Sequence, residues 1–124
     1  MLAGAAATDT IRLGAVLFAF DSSRILSAYQ PLVDSIARLI IAGGYDTLEV
    51  RGHTDDRGTA AYNLQLSQRR AEAVAHRLVL QGCDADRIRV LGRGESEPLL
   101  PNTGEENRRQ NRRVEIIIHR KSNR

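Results

Sequence analysis

The strongest constraint on the fold is a long amphipathic helix pattern, over residues 60–81, that stands between two short strand patterns. Its apolar side chains recur at helical spacing along one flank, and Gly82 follows as a stop. The residues of that flank are Leu64, Ala71, Val74, Ala75 and Leu78. A helix with one apolar flank needs a second layer to cover it, and the neighbouring strands supply that layer.

Periodicity elsewhere predicts four strands and a second main helix. The expected elements are a strand over 13–20, a helix over 27–42, a strand over 47–51, the long helix, a short strand over 88–91 and a strand over 113–119. The polar stretch over 92–111 is expected to be a loop with about one helical turn. This β-α-β-α-β-β order predicts an α+β fold, a two-layer sandwich in which two main helices cover one face of a mixed four-stranded β-sheet.

Two of these elements have apolar residues at regular spacing along one face. The first helix is expected to bury Leu32, Ile36, Leu39 and Ile40. The first strand is expected to carry Val16, Phe18 and Phe20 on one face.

The length of 124 residues fits one domain. We expect residues 1–12 to be a linker or a cloning remnant, residues 13–120 to be the domain and residues 121–124 to be a flexible tail. The first ten residues lack the basic start of a signal peptide, so the natural chain is expected to continue upstream.

The longest apolar runs are far shorter than the roughly 20 residues of a membrane span. The single cysteine, Cys83, excludes an intramolecular disulfide.

The net charge of +3 suits an anionic partner. Lys121 is the only lysine, so the other 17 of the 18 basic residues are arginine, which favours bidentate recognition of carboxylate or phosphate. A basic nucleic-acid-binding module is therefore one alternative, and it would use Arg108, Arg109, Arg112 and Arg113. Interspersed acidic residues and the absence of an aromatic stacking motif count against it.

The candidate site is the polar loop over 52–58 together with the start of the long helix. At 100° per residue, Asn63, Ser67 and Arg70 share a sector that borders the apolar flank, so Arg70 is aimed at the body of the domain. Arg69 points to solvent. Asp55 in the loop can lie beside the first turns of the helix. One acid, one guanidinium and nearby backbone N–H groups would match a zwitterion such as an amino-acid end group. The alternative is that Asp55 only caps the helix and pairs with Arg70 inside the protein.

The sequence gives little reason to expect a metal, a cofactor or catalysis. His53, Asp55 and Asp56 have no recognised ligand spacing with His76 or His119. Ser96 lacks the frame of a nucleophile elbow, so enzymatic activity is not expected.

Four ordered motifs resemble one known family. They are Phe20-Asp21-Ser22-Ser23, then Gly52-His53-Thr54-Asp55-Asp56-Arg57-Gly58 followed by Tyr62-Asn63-Leu64 and Leu66-Ser67-Gln68-Arg69-Arg70-Ala71, then Gly92-Arg93-Gly94-Glu95-Ser96-Glu97-Pro98, and finally Asn111-Arg112-Arg113-Val114-Glu115-Ile116. Together they resemble the OmpA C-terminal-like family of peptidoglycan-binding domains, which includes peptidoglycan-associated lipoproteins and the periplasmic domains of MotB-like stator proteins. The resemblance extends from about Leu13 to Arg120.

The resemblance implies noncovalent binding of peptidoglycan through the diaminopimelate of its stem peptide. Carried over by motif, Asp55 would hold the ammonium and Arg70 the carboxylate of the diaminopimelate end group. The backbone of Thr54 to Asp56 would donate hydrogen bonds, and Asn63 would shape the loop. Phe20, Asp21, Ser22 and Arg113 would line the rim.

The resemblance also implies a periplasmic location, with a tether to the outer or inner membrane in a region outside this sequence. It leaves a homodimer open. One departure is Glu106-Asn107-Arg108, where the family often has Glu-Gly-Arg. Because Asn tolerates positive φ better than most residues, we expect Asn107 to keep the turn of that glycine.

Overall fold

The computed structural model describes residues 8–120. The strands are β1 (Thr8–Gly14), β2 (Thr47–His53), β3 (Ile88–Gly94) and β4 (Arg113–His119), and the α-helices are α1 (Gln30–Gly43), α2 (Ala60–Leu80) and α3 (Glu105–Asn111). Short 3-10 turns occupy Ala15–Leu17, Ser27–Tyr29 and Ala85–Arg87. Within the described range, every helix is too short or too polar to cross a membrane.

The four strands form one mixed sheet in the order β1-β4-β2-β3. β4 is antiparallel to both of its neighbours, whereas β2 and β3 are parallel and α2 is the crossover between them. Alternate residues of β2 and β4 face α1 and α2 and form the core with them. The largest fully buried side chains include Leu17, Ile40, Leu48, Leu78 and Ile116. This confirms the predicted α+β sandwich with two main helices on one face of the sheet.

Two glycines let α2 lie directly on the sheet. Gly52 of β2 pairs with Gly92 of β3. A Cβ at Gly52 would stand 2.0 Å from the Ser67 carbonyl oxygen, and one at Gly92 would stand 2.7 Å from the Gln68 nitrogen. The helix also accepts from β3, because Gly94 N–H donates to Ser67 Oγ at 2.9 Å. This close contact fixes the rotation of α2 and therefore the direction in which Arg70 points.

The prediction of the first strand was wrong in its position. The strand is Thr8–Gly14, which pairs with β4 from Thr8↔His119 to Gly14↔Arg113. The apolar stretch that was expected to be a strand begins as a 3-10 turn, and Phe18 makes only an isolated bridge to Ile25. β1 is an edge strand with mostly exposed residues, so its hydrophobic pattern is weak.

The domain boundary changes with this strand. Residues 8–12, expected to belong to a linker, are in the sheet. The remainder of the predicted linker, residues 1–7, and the predicted tail, 121–124, lie outside the described residues.

The apolar face of α1 is rotated from the predicted one. Val33, Ile36, Ala37 and Ile40 are buried, while Leu32 is 47% and Leu39 is 71% exposed. The side chains of α1 that face the core are therefore the i, i+3, i+4, i+7 set that starts at Val33. In α2, Leu64 is 51% exposed, because the backbone of this residue packs on Gly94 and its side chain points away.

The segment before β4 contains more helix than expected. α3 spans seven residues, with Glu105 and Glu106 in its first turn and Arg108 and Arg109 in its last. This charge order is favourable to the helix dipole. Asn107 is helical, so the expectation of a positive φ there was wrong; Asp21, with φ 56°, is the residue other than glycine that has one in the described range.

Candidate functional site

An open cleft of about 980 Å³ lies where the end of β1, the loop after β2, the first turns of α2 and the α3 segment meet. Its wall from the β1 side includes Gly14, Val16, Phe18, Phe20 and Asp21; the β2–α2 loop and α2 contribute Thr54, Asp55, Arg57, Asn63 and Arg70; and the α3 side contributes Glu105, Arg109 and Arg112. The two residues that the sequence placed at the centre of the site, Asp55 and Arg70, therefore open into one cavity.

Arg70 is a buried cation whose direct contacts are neutral groups. Its residue is 8% exposed, its Nε donates to the Ser22 carbonyl at 2.9 Å, and its guanidinium carbon lies 4.9 Å from the centre of the Phe18 ring. Among residues 8–120 Arg70 takes part in no ion pair. Burial lowers the pKa of Arg70, and the charge of Asp21 acts in the opposite direction. Because a guanidinium stays protonated at any physiological pH, this cation leaves the cleft wall attractive to an anion.

Arg69 is exposed, as the helical spacing predicted. Asn63 and Ser67 are buried on the same side of α2 as Arg70.

Asp55 is buried but ionised. The residue is 5% exposed, and its carboxylate accepts from the Arg57 backbone N–H at 2.9 Å and from Arg112 Nη1 at 2.7 Å. Burial acts to raise the pKa of Asp55, but the hydrogen bonds from Arg112 and Arg57 outweigh it and hold this pKa below its ordinary value. The site therefore offers a fixed negative charge at neutral pH.

The alternative role of Asp55, a helix cap paired with Arg70, is wrong. Thr59 caps α2, because its hydroxyl oxygen accepts the Tyr62 N–H at 3.2 Å. The Asp55 carboxylate pairs with Arg57 and Arg112 instead of Arg70.

Four side chains close into a cycle, which we call the ion-pair ring: Asp55, Arg57, Glu105 and Arg112. Arg112 lies 2.7 Å from Asp55 and 2.8 Å from Glu105, and Arg57 lies 3.1 Å from Asp55 and 3.0 Å from Glu105. The ring joins the loop after β2 to the α3 segment, and all four of its residues line the cleft. Its two acids and two bases balance, so the ring as a whole carries no net charge.

Two loop residues from the prediction act within the protein. Asn63 is 4% exposed and its Nδ2 donates to the Arg57 carbonyl at 2.8 Å, which holds the loop against α2. The Thr54 N–H donates to the Gly94 carbonyl at 2.8 Å, and its hydroxyl donates to the Asp55 carbonyl at 2.9 Å. The Thr54 N–H is therefore not available as the ligand donor that the resemblance implied.

The expected rim residues divide into two groups. Phe20, 99% exposed, and Asp21, whose carboxylate accepts from the Tyr62 hydroxyl, line the cleft. Ser22 contributes its carbonyl to Arg70. Asp56, whose backbone was expected to donate to the ligand, is exposed and pairs with Arg108 at 3.0 Å, outside the cleft lining.

Arg113 does not line the cleft, and its prediction as a rim residue was wrong. It is 6% exposed, lies 2.9 Å from Glu115, and donates to the Glu97 carbonyl at 3.2 Å. Because Val114 is in the core and side chains alternate along a strand, Arg113 points to the sheet face opposite the helices. Its neighbour Arg112 enters the cleft instead.

Sequence reasoning missed Arg57, Glu105, Arg109 and Arg112 as site residues. For Arg112 a signal existed. The period of two along β4 assigns Arg113 to the sheet face opposite the helices, which leaves its neighbour Arg112 as the arginine that can reach the cleft. The contacts of Arg57 and Glu105 join residues 48 positions apart, for which the sequence holds no local signal.

The basic cluster that suggested nucleic acid is neutralised by carboxylates. Its ion pairs are Arg108 with Asp56, Arg109 with Glu106, Arg112 with Asp55 and Glu105, and Arg113 with Glu115. Over residues 8–120 no group of three or more His, Cys, Asp or Glu side chains is placed to hold a metal ion.

Comparison with known proteins finds relatives in the bacterial envelope. The chain is 42% identical over 101 residues to outer membrane protein A of Bordetella avium, which covers 82% of this chain and 52% of that protein. It is 39% identical over 101 residues to the peptidoglycan-associated lipoprotein of Legionella pneumophila, covering 82% of this chain and 57% of the relative. The chain thus spans a little over half the length of these curated relatives.

A solved structure described as the cell wall anchor of the T6SS from Pseudomonas aeruginosa is similar with a TM-score of 0.82 and 34% identity, over 92% of this chain and 82% of that chain. The OmpA family model matches residues 17–112, a range that includes the β2–α2 loop, Arg70 and α3. From this match and these identities, the chain belongs to the OmpA family.

Proposed function

We propose that this chain binds peptidoglycan noncovalently, through the side-chain end of diaminopimelate, and so holds an envelope protein to the cell wall in the periplasm. In this proposal the domain is a binding module without catalysis, and a region outside this sequence tethers it to the outer or inner membrane. The names of the relatives, a peptidoglycan-associated lipoprotein and a cell wall anchor, support the coarser statement. The choice of diaminopimelate rests on the cleft.

The observation that carries the proposal is the state of Arg70. It is a buried guanidinium, outside any ion pair of the described residues, in the wall of a cleft that also contains the ionised Asp55. The diaminopimelate side chain ends in an ammonium and a carboxylate on one carbon. Arg70 offers a fork for the carboxylate, and Asp55 offers an acceptor for the ammonium.

The other residues of the cleft support these two groups. Asn63 fixes the loop that carries Asp55, and the Ser22 carbonyl with the Phe18 ring fixes the guanidinium of Arg70. Phe20 and Asp21 provide the outer rim. Asp56 and Arg113 have no direct role in this arrangement, since neither lines the cleft.

The test is calorimetric titration with two muropeptides that differ only in the third residue of the stem, meso-diaminopimelate or lysine. We expect the lysine form to bind at least about tenfold more weakly, because it lacks the carboxylate that Arg70 holds.

Asp55→Asn and Arg70→Lys should each lose about tenfold in affinity for the diaminopimelate form while the melting temperature stays within a few degrees. The matched control is Arg69→Gln, which removes an exposed positive charge next to Arg70 in sequence and should bind as the parent does. Equal affinity for the two muropeptides would reject diaminopimelate as the recognised group.

A further inference from the structure

We infer that Arg57 occupies the position of the ligand's ammonium group at Asp55 and competes with the ligand for this carboxylate. The inference rests on the proposed function, since it concerns the same cleft. It makes Arg57 a determinant of affinity and specificity that acts against binding instead of contacting the ligand.

The contacts of Arg57 are those that a ligand cation would make. Its Nη2 and Nε lie 3.1 and 3.4 Å from Asp55 Oδ2, so a positive nitrogen already faces the oxygen that is to receive the ammonium. An ammonium and this guanidinium cannot both take the same position, because like charges repel and the oxygen has few open directions. Binding must therefore exchange one cation for another.

Of the two arginines on Asp55, Arg57 is the one held less firmly. Its side chain is 57% exposed, whereas that of Arg112 is 25% exposed. Arg112 is also closer to Asp55, at 2.7 Å against 3.1 Å. An exposed ion pair is weaker than a shorter and more buried one, so Arg57 yields first.

The ion-pair ring provides a place for Arg57 after the exchange. Arg57 Nη2 lies 3.0 Å from Glu105 Oε1, so the displaced guanidinium keeps a carboxylate partner. Arg112 continues to join Asp55 to Glu105. The ligand ammonium thus replaces Arg57 at Asp55 without leaving a charge unpaired.

The loop itself is held independently of the Arg57 side chain. Its backbone N–H donates to Asp55 Oδ1 at 2.9 Å, and its carbonyl accepts from Asn63 at 2.8 Å. Replacement of the side chain should therefore leave the loop in place. This allows the competition to be tested by substitution.

The test compares the parent, Arg57→Gln and the control Arg69→Gln in calorimetric titrations with meso-diaminopimelate and with pimelate, the same chain without its amino groups. Arg57→Gln should bind meso-diaminopimelate about fivefold more tightly, the gain expected from removing one exposed ion pair that competes. It should bind pimelate no more tightly than the parent, because pimelate brings no ammonium to Asp55. Arg57→Lys keeps the charge but loses the fork that spans Asp55 and Glu105, and should gain less than Arg57→Gln. Arg69→Gln should match the parent with both probes.

Each outcome decides the question. If the parent binds meso-diaminopimelate and Arg57→Gln binds it equally or more weakly, the inference is wrong while the proposed function stands. A loss of affinity for both probes would make Arg57 a contact for the ligand carboxylate. If neither the parent nor Arg57→Gln binds the free amino acid or the diaminopimelate muropeptide, the proposed function fails and the inference fails with it. Far-ultraviolet circular dichroism of each variant shows whether a loss reflects unfolding.

Discussion

The surroundings of His53 change the pKa of its side chain in the folded protein. It is 3% exposed at the end of β2, and its Nε2 lies 3.4 Å from Glu115 Oε1 in a geometry that forms no hydrogen bond. Burial, and then the positive charge of Arg113, lower the pKa of His53, while Glu115 and Glu97 act in the opposite direction. The folded protein therefore keeps this imidazole neutral at a pH where an unfolded chain would protonate it.

This predicts a loss of stability on mild acidification. The ordinary pKa of 6.5 applies to the unfolded chain, and the folded value is lower. The contribution of His53 is fully present above pH 6.5 and decreases as the pH falls below it, because the unfolded state then binds a proton that the folded state does not. His53→Asn should flatten the dependence of the free energy of unfolding on pH between about 7.5 and 5.5. Urea unfolding at several pH values measures this, and an unchanged slope in the variant would assign the effect to other groups.

Which site residues are predictable from sequence depends on the range of the interaction that places them. Asn63 and Arg70 lie where the helical period puts them, because rotation about α2 is a local property that the apolar flank fixes. Arg57, Glu105 and Arg112 meet only when α3 folds against the loop after β2, and no local period reports that contact. The prediction for Arg113 was wrong because the alternation of β4, which puts Val114 in the core, turns Arg113 to the opposite face of the sheet.

At the scale of elements, the contact of α2 with the β2–β3 pair decides the geometry of the site. The helix backbone rests on Gly52 and Gly92, so their missing side chains determine how closely the layers approach. Gln68 adds a bond to this contact, since its Oε1 accepts the Gly92 N–H at 2.7 Å. The helix is thus held in position and in rotation within one turn of Arg70.

Gly52→Ala is therefore expected to destabilise the domain by about 3 kcal/mol. The added methyl group would meet the Ser67 carbonyl at 2.0 Å, and a helix backbone cannot move aside without shifting the whole element. Gly14→Ala is the control, because there the nearest atom, Val16 Cγ1, is 3.9 Å away and φ is −70°. We expect this control to change stability by no more than about 0.5 kcal/mol. Urea denaturation of both variants measures the difference, and similar midpoints would show that α2 is free to shift.

The elements also differ in how well the sequence predicts them. The bounds of α2 and β4 were predicted nearly to the residue, because β4 alternates apolar residues against the core and the second half of α2 carries an apolar stripe that Gly82 ends. The predicted position of β1 was wrong, since an edge strand exposes most of its side chains and carries no strong hydrophobic alternation. The length of α3 was underestimated, because charge order and tertiary contacts stabilise its seven residues and no apolar stripe marks them in the sequence.

At the scale of the whole molecule, the ion pairs predict how binding depends on salt. Apart from Arg70, the arginines that line the cleft are paired with carboxylates, so the surface there is closer to neutral than the net charge of +3 suggests. We expect binding of the diaminopimelate muropeptide to weaken by less than about tenfold between 50 and 500 mM NaCl, because the ligand end group is itself neutral and is held in a partly buried site. Duplex DNA, tested in parallel, should show no binding at the higher salt. A steep loss for the muropeptide, of the kind seen with release of many counterions, would contradict this account of the cleft.

The pairing of β1 with β4 has a mechanical consequence. Gly14, at one end of β1, borders the cleft. Thr8, at the other end, lies about 20 Å from Gly14 along the strand and pairs with His119. A pull from a tether on the Thr8 side against a ligand anchored in the cleft would run along the strand. The inter-strand hydrogen bonds lie across that direction, so they would be loaded together in shear and would share the tension instead of opening one after another.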